Sequence, residues 1–296
     1  ELAILRHLLE VSASPPAPAP DVAAWRRVWA AIAPRWETPC DRAIAGGAAA
    51  DRPAWAFGAG YQAALQRLWP QSDSTTLSAF CVTEEGGAQP SAIRCTLTPC
   101  PQPPAGWRLT GEKTFVTGAG EAERLLVAAA AGATPGGRSI LRLARVDARA
   151  PGVEVTPLPP LGLVPELPHG RVRFTDVALE EADLLPGDGY LEAVKPFRTV
   201  EDLHVTAALV SWVFAAGQRA GWPPAALEPL LALLASARGL ADAPPLSPHV
   251  HLALAGLLAL AGEALARLEP LWEKAAPDDR ARWQRDRGLL EIAGAA

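Results

Sequence analysis

The chain has 296 residues, of which 49% are hydrophobic and 20% are charged, and its formal net charge is −5. This length exceeds one ordinary core and predicts two or three domains, and the composition is typical of a soluble globular protein. The acidic balance and the lack of a lysine and arginine stripe argue against a nucleic-acid-binding protein.

The cysteines and the hydropathy pattern predict in which cellular compartment the protein occurs. The four cysteines show no CxxC spacing and no neighbouring histidine pair, so we expect free thiols in a reducing cytoplasm and no metal site. Residues 1–6 lack the basic-then-apolar order of a signal peptide. The most apolar stretch, residues 250–260, is shorter than the ~20 residues that a membrane span needs, so we expect no membrane association.

The N-terminal part, residues 1–78, is predicted to be helical. A proline-rich segment over residues 14–20 ends the first helix, and Asp21 can cap a second helix with Trp25 and Trp29 on its apolar face. A third helix is predicted over residues 54–68. The first helix is indicated by four leucines at helical spacing, Leu2, Leu5, Leu8 and Leu9.

The middle part, residues 79–188, has the character of a β-domain. Its short β-prone runs are separated by glycine and proline clusters, which is typical of strands joined by tight turns. Several such strands at regular intervals predict a small antiparallel barrel or sandwich. The remaining part, residues 189–296, returns to helical periodicity and predicts a bundle, with helices over residues 204–215, after Pro223, over 249–268 and over 278–292.

Two strands of the middle part carry the most informative pattern. The first reads FCVTEEGG over residues 80–87, and the second, after a proline-rich hairpin, reads GEKTFVT over residues 111–117. This order resembles the flavin-facing strands of the acyl-CoA dehydrogenase family, and further signatures over residues 151–190 are similar to that family. The resemblance implies an α+β multidomain fold with an N-terminal helical domain, a central antiparallel β-barrel and a C-terminal helical bundle.

The resemblance also implies a cofactor and a reaction. The cofactor is FAD, with Phe80, Val82 and Thr83 along its pyrimidine edge and Phe115 and Thr117 at the ring face and N5. The reaction is removal of the α-proton of an acyl thioester such as acyl-CoA and transfer of the β-hydride to FAD, within fatty acid metabolism. Relatives commonly form homo-oligomers through the C-terminal bundle and pass electrons to a partner protein, so we expect both here.

The chain departs from the family pattern at three places. Gln89, followed by Pro90, stands where the family has a serine that helps to hold the ligands, so Gln89 is the candidate substrate contact. The signatures that hold the FAD pyrophosphate and adenosine are missing. The position that corresponds to the usual catalytic base, near the C-terminus, falls on Gly294, which cannot remove a proton.

Some family members carry the base on the first helix after the barrel, and this alignment makes Glu201 the candidate base. Glu201, Asp202 and His204 form an acid–base group in this interpretation. A structural role is the alternative, because two carboxylates near a helix start interact favourably with its positive end and His204 can pack beside them.

Three functions therefore stay open at the level of the sequence. The first is an acyl-CoA dehydrogenase-like flavoprotein oxidoreductase. The second is a non-catalytic homologue that serves as a ligand-binding or partner-binding scaffold, which the glycine at position 294 favours. The third lies between them and is a flavoprotein that binds FMN or FAD weakly for different chemistry.

Overall fold

The computed structural model describes residues 3–11, 14–101 and 106–292. The chain divides into two compact units. The helical unit comprises Glu1–Thr75, Leu161–Glu166 and Phe197–Ala296, and the sheet unit comprises Thr76–Pro160 and Leu167–Pro196. The three domains predicted from the sequence, over residues 1–78, 79–188 and 189–296, stay a prediction.

The helices begin at the signals that the sequence provides. The Asp21 carboxylate accepts a hydrogen bond from the Ala24 amide at 2.8 Å and caps the second helix, as predicted. Proline occupies the first turn of most of the others, where its missing amide costs nothing. In chain order the described helices are α1 (Ala3–Val11), α2 (Val22–Ile32), α3 (Pro39–Ala49), α4 (Pro53–Leu68), α5 (Lys195–Arg219), α6 (Pro224–Leu240), α7 (Pro248–Leu268), α8 (Pro277–Asp286) and α9 (Leu289–Ile292).

Small residues let three of these helices approach closely. A Cβ atom on Gly47 of α3 would lie 2.1 Å from the carbonyl oxygen of Ala208 in α5, and one on Gly60 of α4 would lie 2.6 Å from the Cα of Val205. Both glycines are therefore fixed by contact with the backbone of α5. Because α5 is buried nearly all round over its central turns, it forms the core of the helical unit.

A buried carboxylate holds the short segment Leu161–Glu166 in the helical unit. Asp286 is 1% exposed, accepts the Val164 amide at 2.9 Å and pairs with Arg285 at 2.7 Å. Arg285 also pairs with Glu166 at 2.8 Å. The predicted C-terminal helix over residues 278–292 is divided after Asp286, and Gly294 lies outside the described residues.

The sheet unit contains a seven-stranded mixed sheet. Hydrogen-bonded neighbours run in the order β1-β4-β2-β3-β7-β6, and β5 pairs with β4 as well. Inward-facing apolar side chains of these strands form one core cluster around Leu109, Val127 and Phe174. The strands are β1 (Ser78–Cys81), β2 (Thr96–Cys100), β3 (Gly106–Thr117), β4 (Arg124–Ala133), β5 (Ser139–Asp147), β6 (Val153–Pro157) and β7 (His169–Leu179).

The prediction of a wholly antiparallel barrel is wrong in one respect. β1 pairs with β4 in parallel, with Ser78 opposite Arg124 and Cys81 opposite Val127. β2 also joins β4 in parallel, at Thr96 and Ala130. The chain returns to β4 through the β2–β3 hairpin, which gives the long connection that parallel neighbours require. The sheet is consequently mixed, and it is curled as in a half-barrel.

One described helix is long and apolar enough to cross a membrane by length and composition alone. It runs over Pro248–Lys274, which is longer than the apolar stretch read from the sequence, and 28% of its most apolar window is buried. A core helix of a soluble protein meets the same criterion, so the helix is weak evidence for a membrane span. One face of this helix is buried, and the other face is exposed, with Leu252 at 75% and Leu260 at 59% exposure.

We expect Gly47→Ala to destabilise the helical unit by about 2 kcal/mol or more, because the new methyl group meets the α5 backbone. Gly262→Ala is the matched control, since its methyl group enters open space in α7 and improves helix propensity by up to about 1 kcal/mol. Urea unfolding would measure both. Equal stability of the two variants would contradict the close contact.

Candidate functional site

The turn that follows β1 is held by its own backbone. The Glu84 amide donates to the Gly87 carbonyl at 3.0 Å, and the Gly87 amide donates to the Glu84 carbonyl at 2.8 Å. Gly87 has a φ of 108°, a conformation that glycine adopts without strain. Among the hydrogen bonds of the described chain, none satisfies the Thr83 hydroxyl or the amides of Glu85 and Gly86. These groups are donors available to a ligand.

A buried ion pair lies directly beneath this turn. Lys113 of β3 is fully buried, and its Nζ donates to Glu84 Oε1 at 2.7 Å and to the Val82 carbonyl at 3.0 Å. The Glu84 carboxylate also accepts the amides of Arg94 at 2.6 Å and Cys95 at 3.0 Å. Burial alone would raise the pKa of Glu84, but these donors outweigh burial and lower it. Glu84 is therefore ionised at neutral pH.

The next residues of β3 form a bulge that turns an aromatic ring outward. The pairing of β3 with β7 shifts register between Lys113 and Val116, and Phe115 has a φ of 52°. Its side chain is 65% exposed. A bulky residue with positive φ is strained, and such strain occurs preferentially at functional sites. The Thr114 amide donates to the Thr83 carbonyl at 2.8 Å and joins the bulge to the turn.

The turn and the bulge together enclose a cavity of about 860 Å³, called here the turn cavity. Thr83 and Phe115 both line it, so the structure brings these two predicted residues together. The volume lies within the range of small-molecule and cofactor sites. The other lining residues are Glu84, Glu85, Gly86, Gly87, Ala92, Arg94, Glu112, Thr114, Leu158 and Arg171.

A second cavity of about 830 Å³ adjoins the β4–β5 hairpin and is called here the hairpin cavity. Gln89 lines it, and so do Arg94, Arg138 and Tyr190. Neither guanidinium group has an ion pair within the described chain, whereas Arg171 and Arg173 pair with Glu112 at 3.0 Å. Arg94 borders both cavities. The hairpin cavity therefore offers positive charge to an anionic ligand.

The remaining predicted cofactor residues lie on the same strands but line neither cavity. Phe80 is a half-buried residue of β1, and Val82 is buried with its carbonyl bound by Lys113. Thr117 ends β3 opposite His169 of β7, and it is half-buried. Among the described residues, no group of three His, Cys, Asp or Glu side chains is arranged to hold a metal ion. Burial raises the pKa of Cys81 and Cys95 to about 12, so both remain protonated thiols.

Glu201 belongs to the helical unit, where it lies in the second turn of α5. Burial and the adjacent Asp202 carboxylate raise the pKa of Glu201 to about 7, and Arg198 only partly opposes them. Arg198 donates to Asp202 at 3.0 Å, whereas Glu201 has no hydrogen-bond partner within the described chain. This carboxyl group is therefore half-protonated near neutral pH, which suits a proton acceptor.

His204 packs beside this group in the core and is not charged. Its Nδ1 lies 2.7 Å from the Val200 carbonyl, which makes Nδ1 the protonated nitrogen. Burial lowers the pKa of His204 to about 4. Its Nε2 has no partner in the part of the chain that the structure describes.

Several residues of the two cavities were not predicted. Arg94, Arg138 and Arg171 lie on turns and on an exposed strand face, where the sequence shows ordinary surface arginines. The Glu84–Lys113 pair did leave a signal in the sequence. Lys113 lies an even number of residues after the inward-facing Leu109, so the strand pattern places both side chains on the same face of β3. A lysine at an apolar-facing position of a strand indicates a buried partner.

Comparison with known proteins finds a family match over the middle third of the chain. Residues 79–177 match the acyl-CoA dehydrogenase middle domain. The chain is acyl-CoA dehydrogenase-like. No curated protein matches the chain, but several solved structures do. The three matches of this acyl-CoA dehydrogenase-like chain described next cover 89% or more of the solved chain.

Three of these structures are described here with their similarity to the chain. Butyryl-CoA dehydrogenase from Megasphaera elsdenii has a TM-score of 0.73 and 16% identity, covering 99% of this chain and 94% of that one. FMN-bound TdsC from Paenibacillus sp. A11-2 has a TM-score of 0.68 and 17% identity, and the match covers 98% of this chain and 93% of TdsC. PigA with FAD and proline has a TM-score of 0.65 and 13% identity, covering 97% and 89%.

The raised pKa of Glu201 makes stability depend on pH in a definite direction. Between pH 4.5 and about 7 the folded state retains a proton that the unfolded state releases, so this carboxyl group lowers stability progressively as pH rises through that window. We expect Glu201→Gln to stabilise the protein at pH 8 by on the order of 1–3 kcal/mol, with little effect at pH 4.5. Urea unfolding across this window measures the effect, with the exposed Glu154→Gln as control. Parallel stability profiles for wild type and Glu201→Gln would contradict it.

Proposed function

We propose that this chain is a flavin-dependent oxidoreductase that acts on acyl thioesters. The observation that carries the proposal is the turn cavity, where free donors on the Thr83 turn face the same space as the strained, exposed ring of Phe115. TdsC and PigA, which share the fold, bind FMN and FAD respectively. Butyryl-CoA dehydrogenase, by its name, acts on an acyl-CoA.

The residues of the turn cavity fit a flavin. The Thr83 hydroxyl and the turn amides would donate to its pyrimidine edge, where negative charge grows on reduction. Phe115 would pack against the ring face. Thr117 lies outside this cavity at the end of the same strand, and it is retained as the proposed donor near N5 for a ring that extends past Phe115. Arg94, whose guanidinium group has no ion pair within the described chain, would attract the phosphate group or groups. A bound flavin supplies the acceptor for a hydride and its electron pair. We retain FAD as the proposed form, with FMN as the alternative.

The hairpin cavity supports an anionic thioester such as acyl-CoA as the substrate. Arg94 and Arg138 carry unpaired positive charge on its wall, and coenzyme A presents phosphates. The Gln89 side chain can donate to or accept from the ligand, while Pro90 beside it provides no amide donor. These contacts would orient the acyl chain.

Glu201 is the proposed general base. It would accept the proton from the carbon next to the thioester carbonyl, as the β-hydrogen leaves with its electron pair. Its raised pKa places the proton affinity of this carboxyl group close to neutral pH, where a general base is most effective. Continued turnover requires reoxidation, so the proposal includes an electron-transfer partner.

A non-catalytic scaffold is the second candidate. Gly294 at the usual position of the base favours it, because the usual proton acceptor is then missing. Such a protein would retain the cavities for binding and show no turnover. Activity on any acyl thioester that depends on Glu201 would exclude this candidate.

We expect the purified protein to bind FAD or FMN and Phe115→Ala to weaken the binding by about three- to tenfold, because ring packing contributes ~0.5–1.5 kcal/mol. Titration followed by flavin absorbance and gel filtration measures both. Ile140→Ala, which removes a 40% exposed side chain that lines neither cavity, is the control. A folded protein that retains neither flavin would refute the flavin proposal.

We expect Glu201→Gln to lower kcat for acyl-CoA oxidation by about 10²–10⁴-fold without changing flavin affinity, since the amide cannot accept the proton. Flavin bleaching on mixing with acyl-CoA measures the rate. Glu228→Gln, which changes an exposed carboxylate elsewhere in the helical unit, is the control and should keep the activity. Unchanged bleaching in Glu201→Gln would assign the base elsewhere.

We further propose that α7 carries the contact of a homo-oligomer. No Asp, Glu, Lys or Arg occurs over residues 248–262, and Leu252 and Leu260 lie four residues on either side of Gly256. A two-fold axis near Gly256 would place Leu252 of each copy against Leu260 of the other, a self-complementary arrangement. A lipid surface would instead favour a lysine- and arginine-rich rim, which this face lacks. The cytoplasmic location is also retained as a proposal, and the four free cysteines are compatible with it.

We expect Leu260→Glu to shift the protein to monomer in sedimentation, because the charge would have to be desolvated on association. Leu191→Glu alters an exposed leucine of the sheet unit and should leave the mass unchanged. A monomeric wild-type protein, or an unchanged mass for Leu260→Glu, would contradict the α7 contact.

A further inference from the structure

The Glu84–Lys113 pair connects three separate stretches of the sheet unit. Glu84 lies in the turn after β1, Lys113 lies in β3, and the amides of Arg94 and Cys95 precede β2. The carboxylate therefore receives three donors from two other stretches of the chain. Lys113 adds a bond back to the Val82 carbonyl on the β1 side.

The burial of the pair leaves it one arrangement. Lys113 is fully buried, and a charged ammonium group there is tolerated only while its acceptors are in place. Rotation of Glu84 would leave two backbone amides without partners, and the ammonium group would keep the Val82 carbonyl but lose its carboxylate. The turn and the strand must therefore move together or not at all.

Both cavities border on groups that this pair holds. On the lysine side, Thr114 donates to the Thr83 carbonyl and Phe115 projects into the turn cavity. On the glutamate side, the bond to the Arg94 amide fixes the backbone of the arginine that lines both cavities. A displacement of the pair would thus shift lining residues of both cavities at the same time.

We propose that Glu84 and Lys113 are positioning residues that set the relative placement of Thr83, Phe115 and Arg94, and so couple the turn cavity to the hairpin cavity. The ligands named for the two cavities rest on the proposed function, but the coupling is a property of the chain. Glu84 and Lys113 themselves need not react with either ligand. Loss of the pair should weaken binding in both cavities together.

The first test compares Glu84→Gln with wild type in calorimetric titrations with FAD and with coenzyme A. A glutamine side chain presents one oxygen and an NH₂ group, so it cannot accept all three donors. We expect both affinities to fall by about tenfold or more. Glu84→Asp keeps the charge but shortens the reach by one methylene, and we expect it to fold while still losing affinity for both ligands.

The matched control is Asp183→Asn, which breaks the ion pair between Asp183 and Arg145 at 3.2 Å in the same unit. Neither residue lines either cavity, so we expect both affinities to stay within about twofold of wild type. Equal losses in Asp183→Asn and Glu84→Gln would show general destabilisation and overturn the positioning role. Unchanged affinity in both Glu84 variants would overturn it as well.

Hydrogen exchange supplies a readout that requires no ligand. In Glu84→Asp we expect faster exchange at Arg94 and Cys95, whose amides the carboxylate accepts, and at Gly87 and Thr114, whose amides donate to the backbone carbonyls of Glu84 and Thr83, with unchanged exchange in β5. Uniform acceleration, or none, would overturn the inference. If the wild-type protein binds no flavin, the proposed function fails, while this exchange pattern still decides the coupling.

Discussion

The sheet unit depends on a charged pair that is taken out of water. Lys113 is fully buried, and the Glu84 carboxylate and the Val82 carbonyl accept its protons. Removing both charges from water is expensive, and only close contact with complete hydrogen bonding offsets that cost. The arrangement requires the turn after β1, the start of β2 and the bulge of β3 to keep their spacing. Each of these elements contributes to the wall of a cavity.

The helical unit is constrained by contact instead of charge. Gly47 and Gly60 allow α3 and α4 to touch the backbone of α5, and any side chain at those positions would overlap it. The same burial that makes α5 a core helix raises the pKa of Glu201. Packing and proton affinity are thus two results of one feature, the burial of α5 from its second turn onward.

Much of the fold could be predicted because its signals are local. Asp21 marks the start of α2, Pro224 marks the start of α6, and strand-like runs bounded by glycine and proline mark the sheet. α3 was missed, because its stretch of alanine and glycine has little apolar periodicity. The parallel pairing of β1 with β4 was missed as well, since strand direction depends on the path of the chain between two strands and not on either strand alone.

The sequence by itself determined the family pattern, the order of helical and β segments, and Thr83, Phe115 and Gln89 as candidates, because motif spacing is preserved along the chain. Only the tertiary structure decided which candidates share a cavity. It separated Thr117 from the two cavities, added Arg94 to both, and made Lys113 the buried partner of Glu84. It also made Glu201 a group that titrates near neutral pH. The physical reason is that burial and charge pairing arise between residues distant in sequence, and no local pattern specifies the distance between them.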